Sequence, residues 1–442
     1  MSNGISSLWK DEDWWAVWIG FIVLGGALLH WIPAVPKVGK WTDNPLRAFL
    51  IIKDGVTTGN IIVSLLILMI GLAILTGIGI AFMKSVKLGR YLPGFAVVFV
   101  LATISFWLAH QSNISYWGLS YALWALLVGL LISNTLGVPQ WLLAGARTEL
   151  FIKTGLVLLG AEVLFDKILS MGAPGLMVAW IVTPIVVIFM FAFGVRKLKM
   201  KNKALVMVIA AATSVCGVSA AIAAAAACRA KKEDLTLAVG MTLIFTVLMM
   251  FFMPLGIKYL GMNHILGAAW MGGTIDSTGA VVAAGSMLGP VAEQVAAVVK
   301  MIQNVLIGLL AFFVALYWVC SVDRVPGCPR PSLMEIWYRF PKFVIGFVAA
   351  SLLFSFIVIP AAGGGSNLVE TSYLNPVSKV LRSWFFCLAF VAIGLESNFR
   401  DLTERMERGK PLTLYIVGQS FNLGLTIFVA WLAFMVLFPN AV

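Results

Sequence analysis

The chain has 442 residues, 61% hydrophobic and 11% charged, with a mean hydropathy of +0.99. No soluble core needs that much apolar surface, so the solvent is a bilayer; unbroken apolar runs in place of short alternating segments exclude an outer-membrane β-barrel. The net charge of +12 does not point to nucleic acid, because the basic residues gather in short loops between apolar runs, as the positive-inside rule describes.

A spanning helix needs about 20 mostly apolar residues. Such segments recur at 13–33, 60–84, 92–110, 116–135, 148–168, 174–194, 204–228, 235–257, 264–288, 291–319, 341–361, 380–398 and 411–437. The expectation is an all-α polytopic membrane protein with thirteen transmembrane segments. "MSNGISSLWKDEDWW" (1–15) has no basic n-region and no cleavage site, so the first span is read as retained. "WTDNPLRAFLIIKDG" (41–55) is expected to form an interfacial helix. Residues 1–90 then form an N-terminal extension of two spans and that helix, and 91–115 adds one more span.

The loop "VRKLKMKNK" (195–203) holds five Lys/Arg and no acid, which places it in the cytoplasm. Alternation puts 85–91, 320–340 and 399–410 on the same side, all basic, and 110–116 and 363–376, which lack Lys and Arg, outside. Two basic loops, 34–59 and 229–234, run against the rule.

Two echoes point to internal duplication. "LTLAVGMTLIF" (235–245) resembles "LTLYIVGQSF" (412–421), and "ISNTLG" (132–137) resembles "IDSTGA" (275–280). Both pairs lie five spans apart, so the copies enter the membrane in opposite directions: an inverted repeat, 116–260 followed by 261–442.

This offset makes the seventh and twelfth spans counterparts. The seventh carries "AATSVCGVSAAIAAAAA" (211–227), small and weakly helical around Ser214, Cys216, Gly217 and Ser219. A break near Gly217 would present half-helix ends whose free N–H groups attract an anion and whose free carbonyls attract a cation. Small residues also simply pack helices together, and that alternative stands beside the first. In the twelfth span Gly394 is followed by Glu396, Ser397 and Asn398, and Glu396 reads either as a coupling-ion ligand or as an interfacial residue.

The ninth span contains "GGTIDSTGAVVAAG" (272–285), a carboxylate among glycines and hydroxyls in an apolar run. The glycines mark a break, and Asp276 reads as the N-cap of a half-helix or as an intramembrane carboxylate that takes a proton or an ion. Asn134, in the matching echo, offers a neutral oxygen. Two lysines stand inside spans, where an ammonium costs roughly 2.5–3.5 kcal/mol and needs a partner. Lys153 has Glu149 one turn earlier; Lys300 has no acid four residues away on either side and has Gln303 and Asn304 nearby, which makes it the candidate to meet an anion.

The five cysteines make no CxxC or zinc spacing and the three histidines are scattered, so no metal centre is expected.

"KTGLVLLGAEVL" (153–164), "SVCGVSAAIAA" (214–224) and "VVAAGSMLG" (281–289), with Lys300 downstream, resemble the YeiH-type sulfate exporter family over roughly residues 90–437. The resemblance implies relatives among the bile-acid/sodium symporters and cation/proton antiporters. It also implies two inverted five-helix repeats with broken crossing helices, a mobile core, a scaffold able to form a homodimer, and residence in the cytoplasmic (inner) membrane. The family pattern carries a His and a Gln in the ninth-span motif; here Asp276, Ser277, Thr278, Gly279 and Ala280 stand instead.

The expected function is secondary active transport of a small anion, sulfate or an organic sulfonate or carboxylate, coupled to H+ or Na+ by elevator-like alternating access. Ser214, Cys216, Gly217, Ser219, Ser277, Thr278, Gly279, Lys300 and Asn304 are the substrate-binding candidates; Asn134, Asp276 and Glu396 are the coupling-ion candidates. Bound Na+ is the one cofactor this reading admits, and no enzymatic activity is expected. The runner-up is a cation/proton antiporter with Asp276 as proton carrier. A membrane-embedded enzyme would need a nucleophile, metal cluster or cofactor motif, and none is present; a channel has no need of a carboxylate at a helix break; no Walker motif supports ATP-driven transport.

Overall fold

The computed structural model describes residues 7–32, 35–53, 56–112, 121–163, 165–323, 337, 340–361, 374, 376–397 and 409–441. Among the described residues, the helices longer than two turns are, in chain order, α1 (Glu12–Leu28), α2 (Ile62–Met83), α3 (Leu88–Ala109), α4 (Tyr121–Thr135), α5 (Thr148–Gly160), α6 (Phe165–Leu176), α7 (Val182–Ala192), α8 (Lys203–Ser214), α9 (Gly217–Ala227), α10 (Lys232–Tyr259), α11 (His264–Thr274), α12 (Thr278–Ser286), α13 (Pro290–Tyr317), α14 (Lys342–Leu353), α15 (Lys379–Glu396) and α16 (Gly409–Trp431). Among the described residues, eight helical segments are long and apolar enough to cross a membrane. Three shorter apolar helices, α4, α8 and α9, lie beside them. Helix is what such sequences must form in lipid, because each backbone N–H and C=O has to find its partner within the segment. Large apolar side chains such as Ile67, Ile188 and Phe252 are more than 60% exposed, which is where hydrocarbon replaces protein as the neighbour.

The chain folds as two compact units: 1–165 with 342–398, and 166–341 with 399–442. Each draws on both halves of the sequence, so the units cut across the divisions at 90, 115 and 260.

In the first unit glycines let helices touch backbone to backbone. A Cβ on Gly129 of α4 would lie 2.5 Å from the Val391 carbonyl oxygen, and one on Gly394 of α15 would lie 2.5 Å from that of Leu126. Next to this contact the Ser133 hydroxyl sits 2.9 Å from the carbonyls of Gly394 and Ser397.

The expected interfacial helix at 41–55 is corrected. A 3-10 turn at Pro45–Phe49 leads into an antiparallel pair, Leu50–Lys53 with Val56–Asn60. β-branched Ile51, Ile52, Val56, Thr57 and Thr58 around an Asp54-Gly55 pair favour a hairpin over a helix, and that dipeptide is a hairpin turn signal; residues 54 and 55 lie outside the described set. α1 ends at Leu28, short of the expected boundary at 33. The loops expected at 320–340, 363–376 and 399–410, and Asn398 with them, fall largely or wholly outside the described residues.

The second unit contains the interruptions. α8 stops at Ser214 and α9 starts at Gly217, with Cys216 extended between them (φ −150°, ψ 115°). The hydroxyls of Thr213 and Ser214 turn back onto the carbonyls of Ile209 and Ala210 at 2.8 and 2.7 Å, competing with the helix's own bonds just where it ends. α11 stops at Thr274 and α12 starts at Thr278, with Ile275 and Ser277 extended. Gly272 and Gly273 do not form this break; they lie inside α11 and permit close packing. A Cβ on Gly272 would fall 2.8 Å from the Ala296 oxygen, and one on Gly273 would fall 2.6 Å from Thr426 Cγ2.

The seventh and twelfth spans are not matching broken helices. α15 runs through without interruption, because its interior is Trp384, Phe385, Phe386 and Phe390 where the seventh span has Ser, Cys and Gly. In the second unit, among the described residues, the seventh and the ninth spans are both interrupted.

Candidate functional site

The two interruptions touch. Gly217 N–H donates to the Asp276 carbonyl at 2.5 Å, joining the first residue of α9 to the extended stretch before α12. Glycine gives this approach its room, since a Cβ would stand 3.0 Å from Thr242 Oγ1 and 3.1 Å from Thr242 Cβ and would press on that side chain.

A helix that stops inside a membrane leaves carbonyls without partners. Here side chains from α7, α13 and α16 take them one by one. At the end of α8, Thr213 O accepts from Asn422 Nδ2 at 3.2 Å and Ser214 O from Gln303 Nε2 at 2.9 Å, with Thr183 Oγ1 at 3.2 Å. Val215 O accepts from the Lys300 ammonium, which also donates to Gln303 Oε1 at 2.7 Å. At the end of α11, Gly273 O accepts from the same Gln303 amide at 3.1 Å, and Thr274 O accepts from Gln419 Nε2 at 3.0 Å. Gln303 thus ties both broken ends together. Lys300 is 1% exposed, and its positive charge sits at the negative end of α8, where the helix dipole favours it.

The starting ends are treated differently. Neither α9 nor α12 has a side-chain cap. Their first N–H groups, aside from Gly217, face the interruption without a capping oxygen, which suits an anion. Asp276 Oδ2 accepts from the Tyr415 hydroxyl, whereas Asp276 Oδ1 has no partner although Asp276 is only 1% exposed.

A family profile described as "Conserved hypothetical protein 698" matches residues 93–414. UPF0324 membrane proteins share the sequence widely. One from Rhodopirellula baltica is 52% identical over 410 residues, 93% of this chain and 73% of its own length. Two from Nitratidesulfovibrio vulgaris are 52% and 54% identical over 382 residues, 86% of this chain. The chain belongs to the UPF0324 membrane protein family. It spans 66% of the length of the two Nitratidesulfovibrio proteins. A more distant member from Nitrosomonas europaea, 28% identical, aligns over 93% of both chains. No solved structure matches this chain.

In this UPF0324 protein the second unit brings together Ser214, Cys216, Gly217, Ser277, Thr278, Gly279, Asp276, Lys300 and Asn304 around the paired interruptions, with Ser219 in the first turn of α9. Asn304 Nδ2 donates to Thr278 Oγ1 at 2.9 Å. Asp276 is not the N-cap of α12: Ser277 holds that position, without a side-chain cap bond, and the Asp276 carboxylate accepts from Tyr415 on α16 instead. Lys300 reaches a helix-end carbonyl and an amide. Asn134 and Glu396 belong to the first unit. Asn134 Nδ2 lies 2.9 Å from Leu130 O and 3.1 Å from Ser397 O, and Glu396 is exposed at the last position of α15.

Lys153 meets Asp13 at 2.7 Å as well as Glu149 at 3.1 Å. Glu162 meets Arg382 at 2.7 Å.

Sequence reasoning passed over Tyr415, Gln419, Asn422 and Thr183, and noted Gln303 only as a neighbour of Lys300. Amide side chains inside otherwise apolar helices, as in "GQSFN" (418–422), were the available signal, since such groups must bond to another helix.

Proposed function

We propose that this UPF0324 protein is a secondary active transporter of a small anion, sulfate or a small organic sulfonate or carboxylate, coupled to H+ or Na+ in the cytoplasmic membrane. The observation that carries the reading is the Gly217–Asp276 contact, where two interrupted helices meet inside one buried unit. Broken helices at membrane depth are tolerated where they serve a site, and in transporters they are where substrate and coupling ion bind. The uncapped starts of α9 and α12 would receive the anion from one side, with the hydroxyls of Ser219, Ser277 and Thr278 as donors. Lys300, held at the end of α8, supplies a positive field without itself being spent on an ion pair. On this reading the unit with the interruptions is the moving core, the other unit is the scaffold that dimerises, and the thirteen apolar segments counted from the sequence are the membrane crossings. The likeness to the YeiH-type exporters supports sulfate as the first anion to test.

The test is flux in proteoliposomes of the purified protein. Sulfate counterflow that saturates and competes with sulfonates is the expected result, with Lys300→Met losing at least tenfold. Absence of saturable flux for every anion, under both H+ and Na+ gradients, would sink the reading. The cation/proton antiporter remains the second reading because the unsatisfied atom at Asp276, Oδ1, is an acceptor; Na+-driven proton flux with no anion movement would favour it.

A further inference from the structure

Among the described residues of the second unit, three buried oxygens have no donor: Asp276 Oδ1, Asn304 Oδ1 and Gln419 Oε1. Their residues are 1%, 2% and 4% exposed. All three side chains are tethered to one short stretch. Gln419 donates to Thr274 O, Asp276 lies two residues later, and Asn304 donates to Thr278 Oγ1 two residues beyond that. Five residues of extended chain cover at most about 17 Å, and Tyr415 and Gln419 stand one turn apart on α16, which draws Gln419 onto the side of Asp276.

The amide orientation of Gln419 is fixed by chemistry. Thr274 O can only accept, so the nitrogen must face it and the oxygen must turn away. Tyr415 has one proton and gives it to Asp276 Oδ2. Lys300 is engaged by Val215 O and Gln303 Oε1 and makes no ion pair within 4.0 Å among the described residues. Among the described residues no side-chain donor lies within hydrogen-bonding distance of any of the three acceptors, and leaving each one bare costs about 1–3 kcal/mol.

We infer that Asp276, Asn304 and Gln419 form the protein ligands of a Na+ ion at the α11–α12 interruption. Hard cations take oxygen ligands, and carboxylate plus amide carbonyls is such a set. A single carboxylate matches a single positive charge. A divalent ion would leave net positive charge in a low-dielectric interior that already holds Lys300. The assignment rests on the transport reading above, of which it names the coupling ion, and it moves that role from Asn134 and Glu396 to Asn304 and Gln419.

The experiment is thermal unfolding of the purified full-length protein in detergent, with NaCl exchanged for N-methylglucamine chloride at constant ionic strength, with and without sulfate. The expected result is a Tm that rises and saturates with Na+, because a ligand that binds only the folded state stabilises it. The rise should vanish in Asp276→Asn, and Gln419→Leu should need about tenfold more Na+, as the loss of a ligand to a charged group implies. Sulfate-dependent stabilisation retained by both variants shows that they are folded. A Na+ rise equal in wild type and Asp276→Asn, or no Na+ rise while sulfate still stabilises the wild type, overturns the Na+ assignment and leaves the anion reading standing. Loss of the sulfate effect from the wild type would strike at the transport reading instead.

Discussion

In the first unit, Lys153 meets Asp13 and Glu149, and Arg382 meets Glu162 on a side chain only 4% exposed. In the second, Lys300 donates to a helix-end carbonyl and an amide, while Asp276 has one oxygen bonded and one bare. The unpartnered buried atoms differ in kind too. Those of the first unit include an indole N–H at Trp124 and a hydroxyl at Thr154; those of the second, among the described residues, are all acceptor oxygens. Charges that cancel each other within the fold fix structure. Acceptors left open in a buried place leave room for a ligand that comes and goes, and on the proposed transport reading that contrast would separate a supporting unit from a working one.

The sharpest way to break the contrast is to unpair the first unit. Arg382→Met should leave Glu162 buried without its cation and cost about 3–5 kcal/mol, whereas Glu162→Met with Arg382→Met should recover most of that. Thermal unfolding in detergent measures both, and sulfate flux by the surviving folded fraction should match wild type. A single variant as stable as wild type would mean that the buried pair is not what holds α15 to the end of α5.

Next in size is Gln303→Leu, which strips donors from Ser214 O and Gly273 O at once and an acceptor from Lys300. The expected destabilisation is roughly 2–4 kcal/mol, accompanied by loss of flux, since both broken ends lose their common tie. Stability loss with flux intact per folded molecule would make Gln303 a purely structural residue. Tyr415→Phe removes the donor to Asp276 Oδ2 and should cost about 1.5–3 kcal/mol if that carboxylate is ionised. Its flux should become less dependent on Na+, which measuring the Na+ dependence of sulfate uptake reads directly.

The breaks in the backbone were legible because they are local: "TSVCG" and "TIDSTG" are poor helix by composition, and the structure interrupts both within these stretches. What fills the breaks was not legible. Tyr415 lies 139 residues from Asp276, and Gln303 lies 89 residues from Ser214, with no spacing rule to join them. The same limit leaves Asp276 open between a cap and an ion- or proton-binding carboxylate, since a local hydroxyl-and-glycine context says nothing about a tyrosine on another helix. Lys153 was paired with its neighbour Glu149, which is real, but Asp13 comes from the chain's beginning. The five-span echo did not locate the second break for a different reason: short likenesses between apolar stretches recur wherever helices pack by small residues, and α15 carries aromatics where the seventh span carries Ser, Cys and Gly.

The smallest expected effects lie within one span, and they test the contrast at close range. The outer end of α11 is capped: Asn263 Oδ1 accepts from Ile265 N at 2.8 Å and from Leu266 N at 3.3 Å. The inner start, at α12, has Ser277 in the cap position with no side-chain bond. Asn263→Ala should therefore cost about 1 kcal/mol and leave sulfate flux unchanged, as the loss of an ordinary cap does. Ser277→Ala removes no cap bond, so its stability should lie within about 0.5 kcal/mol of wild type, while its apparent affinity for sulfate should fall severalfold. Paired unfolding and flux measurements on these two variants decide the matter. If Asn263→Ala reduced flux, or if Ser277→Ala lost stability and kept its affinity, the uncapped start of α12 would be a packing feature and the anion would have to bind elsewhere.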